Sequence, residues 1–429
     1  MVDRSPERRS STVTIGIDSI AAGGDGVGRI DGMAVFIPRT APGDVVSASI
    51  VVHKKRFGRG RLRTIQKRSE ARVDPLCQHY DGDDCGGCQL QHLSASAQLD
   101  AKARIVRDTL LRIGRRHIDV PQITRSPEQW DYRQKLTLSL AKDPTNNEWV
   151  GGLHPLGQPD AVFSLEECRI SSPALVSAWH AVRHASKHLP HADALRITFR
   201  LVPGTSDVAL IVAGGTAWNH WTLFADTINS LAALWWIPDD APRVELRTPG
   251  KSAESTAAGF VQINASLSGT MHEHVLGKVN AFSPTRVVDA YAGTGTLALA
   301  LAESGVRVTA IEWDESAVAL MQRSLPADSI AMASSVESVI DEVLSSTDAF
   351  DVVVVNPPRV GLEPRVTTAL DAQSTEKLRA IIYVSCDPGT LARDLARLPA
   401  WRIQDIHCFD MFPQTAHVET VCVLVPERS

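Results

Sequence analysis

The rhythm of apolar and polar positions changes three times along this chain. From Val13 to about Val73, short apolar runs alternate with Gly-rich turns. The runs are Val13–Ile17, Ala34–Ile37, Val45–Val52 and Arg61–Ile65. The turns are Gly23-Gly24-Asp25-Gly26, Asp31-Gly32 and Pro42-Gly43-Asp44. Many short strands at close spacing predict a small β-barrel over residues 12–74, preceded by a polar, charged segment 1–11 expected to be disordered. A helix follows, with Leu99, Ala103, Val106, Leu110 and Ile113 recurring every three or four residues. Ser94 or Ser96 can cap it and Gly114 can end it. Its other face carries Lys102, Arg104, Arg107, Arg112, Arg115 and Arg116. Between about 120 and 250 the pattern is mixed, with strand-like Leu136–Leu140 and Val208–Val212, so residues 75–260 read as a central α+β domain.

From about 270 the order becomes strand–helix–strand. Helix-like His272–Asn280 precedes strand Arg286–Ala290, a Gly-rich loop 292–295, helix 296–304, strand Val306–Glu312 and helix 315–324. Strands Asp351–Val355 and Ile381–Val384 follow, and two β runs at about 402–409 and 418–425 close the chain. This order predicts an α/β fold, a Rossmann-like doubly wound sheet ending in an antiparallel hairpin, over residues 261–429.

Composition narrows the class. At 429 residues and 44% hydrophobic content, the chain is expected to form two or three globular domains. No apolar run approaches the ~20 residues of a membrane span, and the N-terminus lacks an apolar signal core. A cytoplasmic monomer without a membrane partner is expected. A net charge of −5 does not announce a nucleic-acid binder, so such binding must rest on a local patch. Residues 51–72 supply one: nine Lys or Arg against a single acid, Glu70. Charge runs are usually solvated faces, but on a small barrel such a face commonly holds nucleic-acid backbone.

The candidate chemistry lies mostly in the last segment. Asp289-Ala290-Tyr291-Ala292-Gly293-Thr294-Gly295-Thr296 closes a strand and opens a helix, where Gly293 and Gly295 allow the backbone to approach a ligand. Glu312 ends the next strand and can accept hydrogen bonds from ribose hydroxyls. The D-x-x-x-G-x-G form points to S-adenosylmethionine rather than a dinucleotide. Asn356-Pro357-Pro358-Arg359 ends a further strand, where methyltransferases meet the acceptor base. Cys386, in Ser385-Cys386-Asp387-Pro388-Gly389, follows the run Ile381–Val384. A thiol at the carboxyl end of a buried strand sits where open α/β sheets bind ligands. The alternative is a buried, inert thiol. Cys77, Cys85 and Cys88 cluster, with Cys168 apart. Four thiolates suit zinc or a 4Fe–4S cluster, and spacing alone leaves both open.

These pieces together resemble the RNA uracil-5-methyltransferase family. The resemblance is carried by Gly259-Phe260-Val261-Gln262-Ile263-Asn264, the glycine loop, Asn356–Leu362, Val384–Asp394 and His417-Val418-Glu419. Upstream, Cys85-Gly86-Gly87-Cys88-Gln89-Leu90-Gln91-His92 looks like the iron–sulfur segment of the cluster-bearing branch, and the barrel looks like its TRAM domain. The resemblance implies methylation of carbon 5 of a uridine in RNA, with 23S rRNA expected and tRNA as the alternative. It implies Cys386 as nucleophile and Glu419 as base. It places Gln262, Tyr291, Gly293, Thr296, Glu312, Ser335 and Asn356 at the cofactor. It favours iron–sulfur over zinc at Cys77, Cys85, Cys88 and Cys168. The gap between Cys77 and Cys85 is longer than in the family, and Asn356 stands where the family usually carries Asp. An amino-group methyltransferase using Asn-Pro-Pro, or a non-catalytic RNA-binding protein, would leave Cys386 and Glu419 without work.

Overall fold

The computed structural model describes residues 12–247, 263–345, 349–373 and 378–427; Gln262 and the segment 1–11 lie outside them. Among the described residues, no helix is long and apolar enough to cross a membrane.

Strands β1 (Thr12–Ile20), β2 (Gly26–Ile30), β3 (Met33–Ile37), β4 (Val45–His53) and β5 (Phe57–Lys67) close into a barrel in the order β1-β2-β3-β5-β4. Alternate residues Ile15, Ile17, Val35, Ile37, Val46 and Ala48 fill it. The sequence pattern read the start of β2 as a turn because of its glycines. In the barrel they serve close packing: a Cβ on Gly28 would meet the Gly16 carbonyl at 2.3 Å, and one on Gly26 would meet Thr40 Oγ1 at 2.0 Å. Lys54, Lys55 and Arg56 stand exposed at the β4–β5 tip, and Arg59 and Arg61 are exposed along β5. Arg72 is different: it pairs at 2.8 Å with buried Asp44 and belongs to the barrel's packing rather than to the exposed basic face.

The helix Ala95–Thr109 is capped by Ser94, as the pattern predicts, and passes through a wider turn at Leu110–Gly114. Its burial departs from the periodic reading. Ile113 is exposed, whereas Lys102 is fully buried and donates to Asp410 Oδ1 at 2.5 Å and to the Phe412 carbonyl at 2.9 Å. The partner that makes this burial tolerable lies more than 300 residues away, where no local pattern can reveal it.

The short strand β6 (Gln122–Thr124) is followed by β7 (Lys135–Lys142), β8 (Trp149–Gly152), β9 (Ala194–Leu201), β10 (Val208–Ala213), β11 (Leu231–Ile237) and β12 (Val244–Arg247). Strands β7 to β12 form a sheet in the order β12-β11-β10-β9-β7-β8. One face of it packs Leu136, Leu138, Ile197, Phe199 and Leu210 under the helix Pro173–His184, with Trp179 at the centre.

The last sheet contains β13 (Arg286–Ala290), β14 (Arg307–Glu312), β15 (Ile330–Ala333), β16 (Val352–Val355), β17 (Ala380–Ser385), β18 (Trp401–Phe409) and β19 (Glu419–Pro426). The order is β15-β14-β13-β16-β17-β19-β18-β6. The first five are parallel, and β19 and β18 form the antiparallel pair read from the sequence. β6 adds the outer edge, pairing with β18 in parallel. The four valines of β16 and the Ile381–Val384 run of β17 are buried on both faces, as a helix-covered parallel sheet requires. The strand order reverses between β13 and β16, which opens the ligand crevice at their carboxyl ends.

Candidate active site

Five of the predicted site residues lie at the carboxyl ends of β13, β14 and β15. Glu312 ends β14 and is mostly buried; its Oε2 accepts from Gly293 N at 2.8 Å, and its Oε1 accepts from Trp313 N at 2.9 Å and Asp314 N at 3.0 Å. The carboxylate is thus held against the glycine loop with lone pairs left for a ribose. Gly293 and Gly295 take positive φ, and a Cβ on Gly295 would meet Met321 at 2.5 Å. Tyr291 also sits at φ 63°, a strained setting for a bulky side chain, and its hydroxyl donates to Glu337 Oε1 at 2.6 Å. Burial and Glu337 raise its pKa. Thr296 opens the helix Thr296–Glu303, and Ser335 precedes the helix Val336–Leu344.

Two acids in this crevice have no role in the sequence reading. Asp289 is fully enclosed, and its Oδ2 has no hydrogen-bond partner among the described residues. Burial raises its carboxyl to about 7, with Glu312 adding to the effect. Glu337 is the acceptor for Tyr291. Trp313 is a further residue that the sequence reading missed; it stands 75% exposed directly after Glu312.

Cys386 and Glu419 meet across the sheet. The β17–β19 ladder ends with Val384 facing Val421 and Ser385 facing Thr420, so Cys386 and Glu419 are the residues that flank its last pair, and the Glu419 charge acts on the Cys386 thiol. Burial pushes the half-buried Cys386 thiol up to about 11, and the Glu419 carboxylate adds to that shift while Arg359 opposes it. Burial raises Glu419 to about 7, again opposed by Arg359. Asp387 caps the helix Pro388–Leu395, accepting from Gly389 N at 2.7 Å and Thr390 N at 3.0 Å. His417, at the rim, is pushed down to about 4 by burial and by the cations Arg359, Lys102 and Arg133.

Asn356 is exposed after β16, at the crevice between β13 and β16. Arg359, three residues on, acts electrostatically on Cys386, His417 and Glu419. Its loop is fixed from below. The Leu362 N–H donates to Asp394 Oδ2 at 2.7 Å, Tyr383 Oη donates to the same oxygen at 2.8 Å, and Arg393 donates to the Val360 carbonyl at 2.7 Å. Gly361 makes this approach feasible, since a Cβ there would meet Asp394 Oδ2 at 2.5 Å. Arg359 lies within the Asn356–Leu362 motif, but spacing could not show which charges it faces.

The cysteines of the N-terminal half also converge. Cys77, Cys88 and Cys168 share an apolar cluster with Tyr80, Tyr132, Trp130 and Ile170, and Cys85 lies beside them. Each of Cys77, Cys85 and Cys88 is raised by burial and further by neighbouring thiols, Cys85 to about 11 and Cys88 to about 12. All seven cysteines are free thiols. Among the described residues, no group of three or more His, Cys, Asp or Glu is drawn to metal-holding geometry. Cys408 and Cys422 are buried core residues of β18 and β19.

Known proteins resemble this chain along nearly its whole length. The family model described as tRNA (uracil-5-)-methyltransferase matches residues 252–427, and that of the TRAM domain matches residues 6–62. A Halomonas elongata protein named 23S rRNA (uracil(1939)-C(5))-methyltransferase RlmD is 30% identical over 448 aligned residues, covering 95% of this chain and 88% of that one. The chain belongs to the RNA uracil-5-methyltransferase family. As a family member it is an enzyme with a SAM-binding methyltransferase fold and a TRAM barrel. An RlmD of Dechloromonas aromatica is 26% identical, covering 95% of this chain and 98% of that one. Among solved structures, the Pyrococcus abyssi tRNA (uracil-54, C5)-methyltransferase in complex with S-adenosyl-L-homocysteine has a TM-score of 0.71 at 22% identity, covering 96% of this chain and 99% of that one. That likeness supports the whole three-part architecture, barrel and central sheet included.

Proposed function

We propose that this uracil-5-methyltransferase works through a covalent Cys386 adduct on a uridine of large-subunit ribosomal RNA. The observation that supports it is that Cys386 and Glu419 flank the last pair of the β17–β19 ladder and that the Glu419 charge acts on the Cys386 thiol. Carbon 5 of uracil is too weak a nucleophile to take a methyl group unaided. The Cys386 thiolate adds to carbon 6, and the displaced π electrons form an enolate. Carbon 5 then takes the methyl group as the bond between methyl and sulfonium sulfur breaks. Glu419 removes the carbon-5 proton, the C5=C6 bond re-forms, and Cys386 leaves as thiolate. Arg359 supplies the positive charge that favours both the thiolate and the ionised carboxylate.

S-adenosylmethionine, when bound, supplies the electrophilic methyl group. Glu312 would hold its ribose, and Gly293, Tyr291, Thr296, Ser335 and Gln262 would complete its site. Asn356 can accept from the N3–H of uracil and donate to O4, which suits a uridine without a charged partner. Cys77, Cys85, Cys88 and Cys168 would hold a 4Fe–4S cluster of structural role: four free thiols beside Tyr80, Tyr132, Trp130 and Ile170 suit thiolate-only ligation. The exposed basic strand of the barrel would hold RNA backbone. Ribosomal rather than transfer RNA is supported by full-length relatives named for 23S rRNA.

Comparing nucleosides in RNA from cells with and without the gene should reveal one missing 5-methyluridine in 23S rRNA. Its loss from tRNA instead would overturn the choice of substrate. With 5-fluorouridine at the target, carbon 5 has no proton to lose, so a Cys386–RNA adduct should persist on denaturing gels. Cys386→Ala should form neither adduct nor product, and methylation by that variant would remove Cys386 from the mechanism. Protein purified without oxygen should hold about four irons per chain. Stoichiometric zinc without iron would replace the cluster with a zinc site.

A further inference from the structure

The connection between β18 and β19 delivers Glu419, and it is unusually enclosed for a loop. Asp410, Met411, Phe412, Gln414, Thr415 and Ala416 are all less than 10% exposed. A buried loop must find partners for its backbone polar groups. Here they come from the N-terminal half. Lys102 holds Asp410 and the Phe412 carbonyl. Tyr132 Oη donates to the Pro413 carbonyl at 3.0 Å, and Leu90 N donates to the Gln414 carbonyl at 2.9 Å. Gln98 and Gln414 bond reciprocally: Gln414 N donates to Gln98 Oε1 at 2.9 Å, and Gln98 Nε2 donates to Gln414 Oε1 at 2.9 Å.

Gln89 has a position of its own in this array. It directly follows Cys88. Its Nε2 donates to the Gly86 carbonyl at 2.7 Å, between Cys85 and Cys88, and its Oε1 accepts from Ala416 N at 3.2 Å. Only this amide orientation satisfies both partners, since a carbonyl oxygen cannot donate to Gly86 and an NH2 cannot accept from Ala416. One side chain therefore ties the cysteine loop to the backbone three residues before Glu419. The surrounding packing is tight: Leu90, Leu93, Ala101, Ile105 and Ala416 form one apolar cluster with Ile20 and Ala41 of the barrel.

We infer that Gln89 is a positioning residue for catalysis: it clamps the Glu419 loop to the cysteine loop and so fixes the carboxylate against Cys386. The inference rests on Glu419 being the base. Gln89 touches no reacting atom, so its loss leaves substrate binding alone and misplaces the proton acceptor. A displacement of about 1 Å in a catalytic group can cost on the order of 100-fold in rate; one missing bond in a packed loop should give less.

The test uses the full chain, purified without oxygen, with Gln89→Met and Gln89→Glu beside wild type. Methionine keeps the volume and loses both bonds. Glutamate keeps the acceptor for Ala416 N, loses the donor to Gly86 and turns a second acceptor oxygen toward the Gly86 carbonyl. Gln89→Met should lower kcat about tenfold, leave the RNA KM within twofold, and speed hydrogen exchange at amides 414–418 about tenfold. Methylated Cys386–RNA adduct should build up, because the proton-removal step is the one slowed. Gln89→Glu, which keeps the bond to Ala416 N, should fall between Gln89→Met and wild type in both kcat and protection. Should Gln89→Met not fold, Gln89→Glu still tests the clamp through its expected kcat loss with unchanged KM. An RNA KM rising in step with the kcat loss, unchanged exchange at 414–418, or Gln89→Glu as impaired as Gln89→Met would each overturn the inference. Absence of adduct with Glu419→Gln would overturn the reading of Glu419 instead, since the exchange measurement does not depend on it.

Discussion

Cys386 and Glu419 place two titratable groups side by side where one negative charge makes the other harder to form. Both are raised by burial, and Arg359 is the nearby cation that opposes the rise. Acting as the proposed base, a carboxyl that stays protonated up to about pH 7 should impose an acid limb on the rate, which falls as pH drops below about 7. Glu419→Gln should abolish that limb in product release while still permitting thiol addition. A limb that persists unchanged in this variant would assign it to another group. Stability carries the opposite sign. The folded carboxyl binds its proton more tightly than the unfolded one, so the native state is favoured at low pH and loses that advantage as pH rises from about 4.5 to about 7. Thermal melts should therefore show Glu419→Gln more stable than wild type at about pH 8 and equal to it at about pH 4. Equal melts at both pH values would mean that the carboxylate is not costly to bury.

Elements of the catalytic half were legible because their signals are local. The glycine loop, Glu312 at a strand end and the apolar runs of β16 and β17 each announce themselves within a few residues, and the hairpin fell within a residue of its expected span. What escaped depends on distant partners. β6 is three residues long, and only its pairing with His407–Phe409 makes it a strand. Lys102 sits on a charge-rich helix face, and only Asp410 explains its burial. Asp394 is a third case: sequence places it in the Cys386 motif without showing that it anchors the Asn356–Leu362 loop. Asp394→Asn keeps the shape but weakens the charge-assisted bonds to Leu362 N and Tyr383 Oη, worth about 1.5–3 kcal/mol each at most, and removes the ion pair with Arg393. The variant should melt earlier and bind S-adenosylhomocysteine or RNA more weakly, with the Cys386 thiol still alkylated by iodoacetamide. An unchanged melt and unchanged affinities would show that the loop holds its place by packing alone.

At the scale of the whole molecule, RNA affinity and chemistry are assigned to different layers. Neutralising Lys54, Lys55, Arg56, Arg59 and Arg61 together should weaken RNA binding and flatten its salt dependence, by about 0.7 in slope for each phosphate no longer neutralised. S-adenosylhomocysteine affinity should stay intact. An unchanged slope would make the strand a merely solvated face. The barrel is contiguous in sequence and can close as soon as residue 67 is available. The catalytic sheet cannot. Its edge joins Thr124 to Phe409, a separation of 285 residues, which at ribosomal speed is roughly 15–60 s of synthesis. Throughout that interval Lys102 has no Asp410 to receive it and β6 has no neighbour. With the basic face acting as proposed, a nascent chain would acquire its grip on RNA long before it has a centre able to modify one, and β18 and β19 would convert a binder into a catalyst.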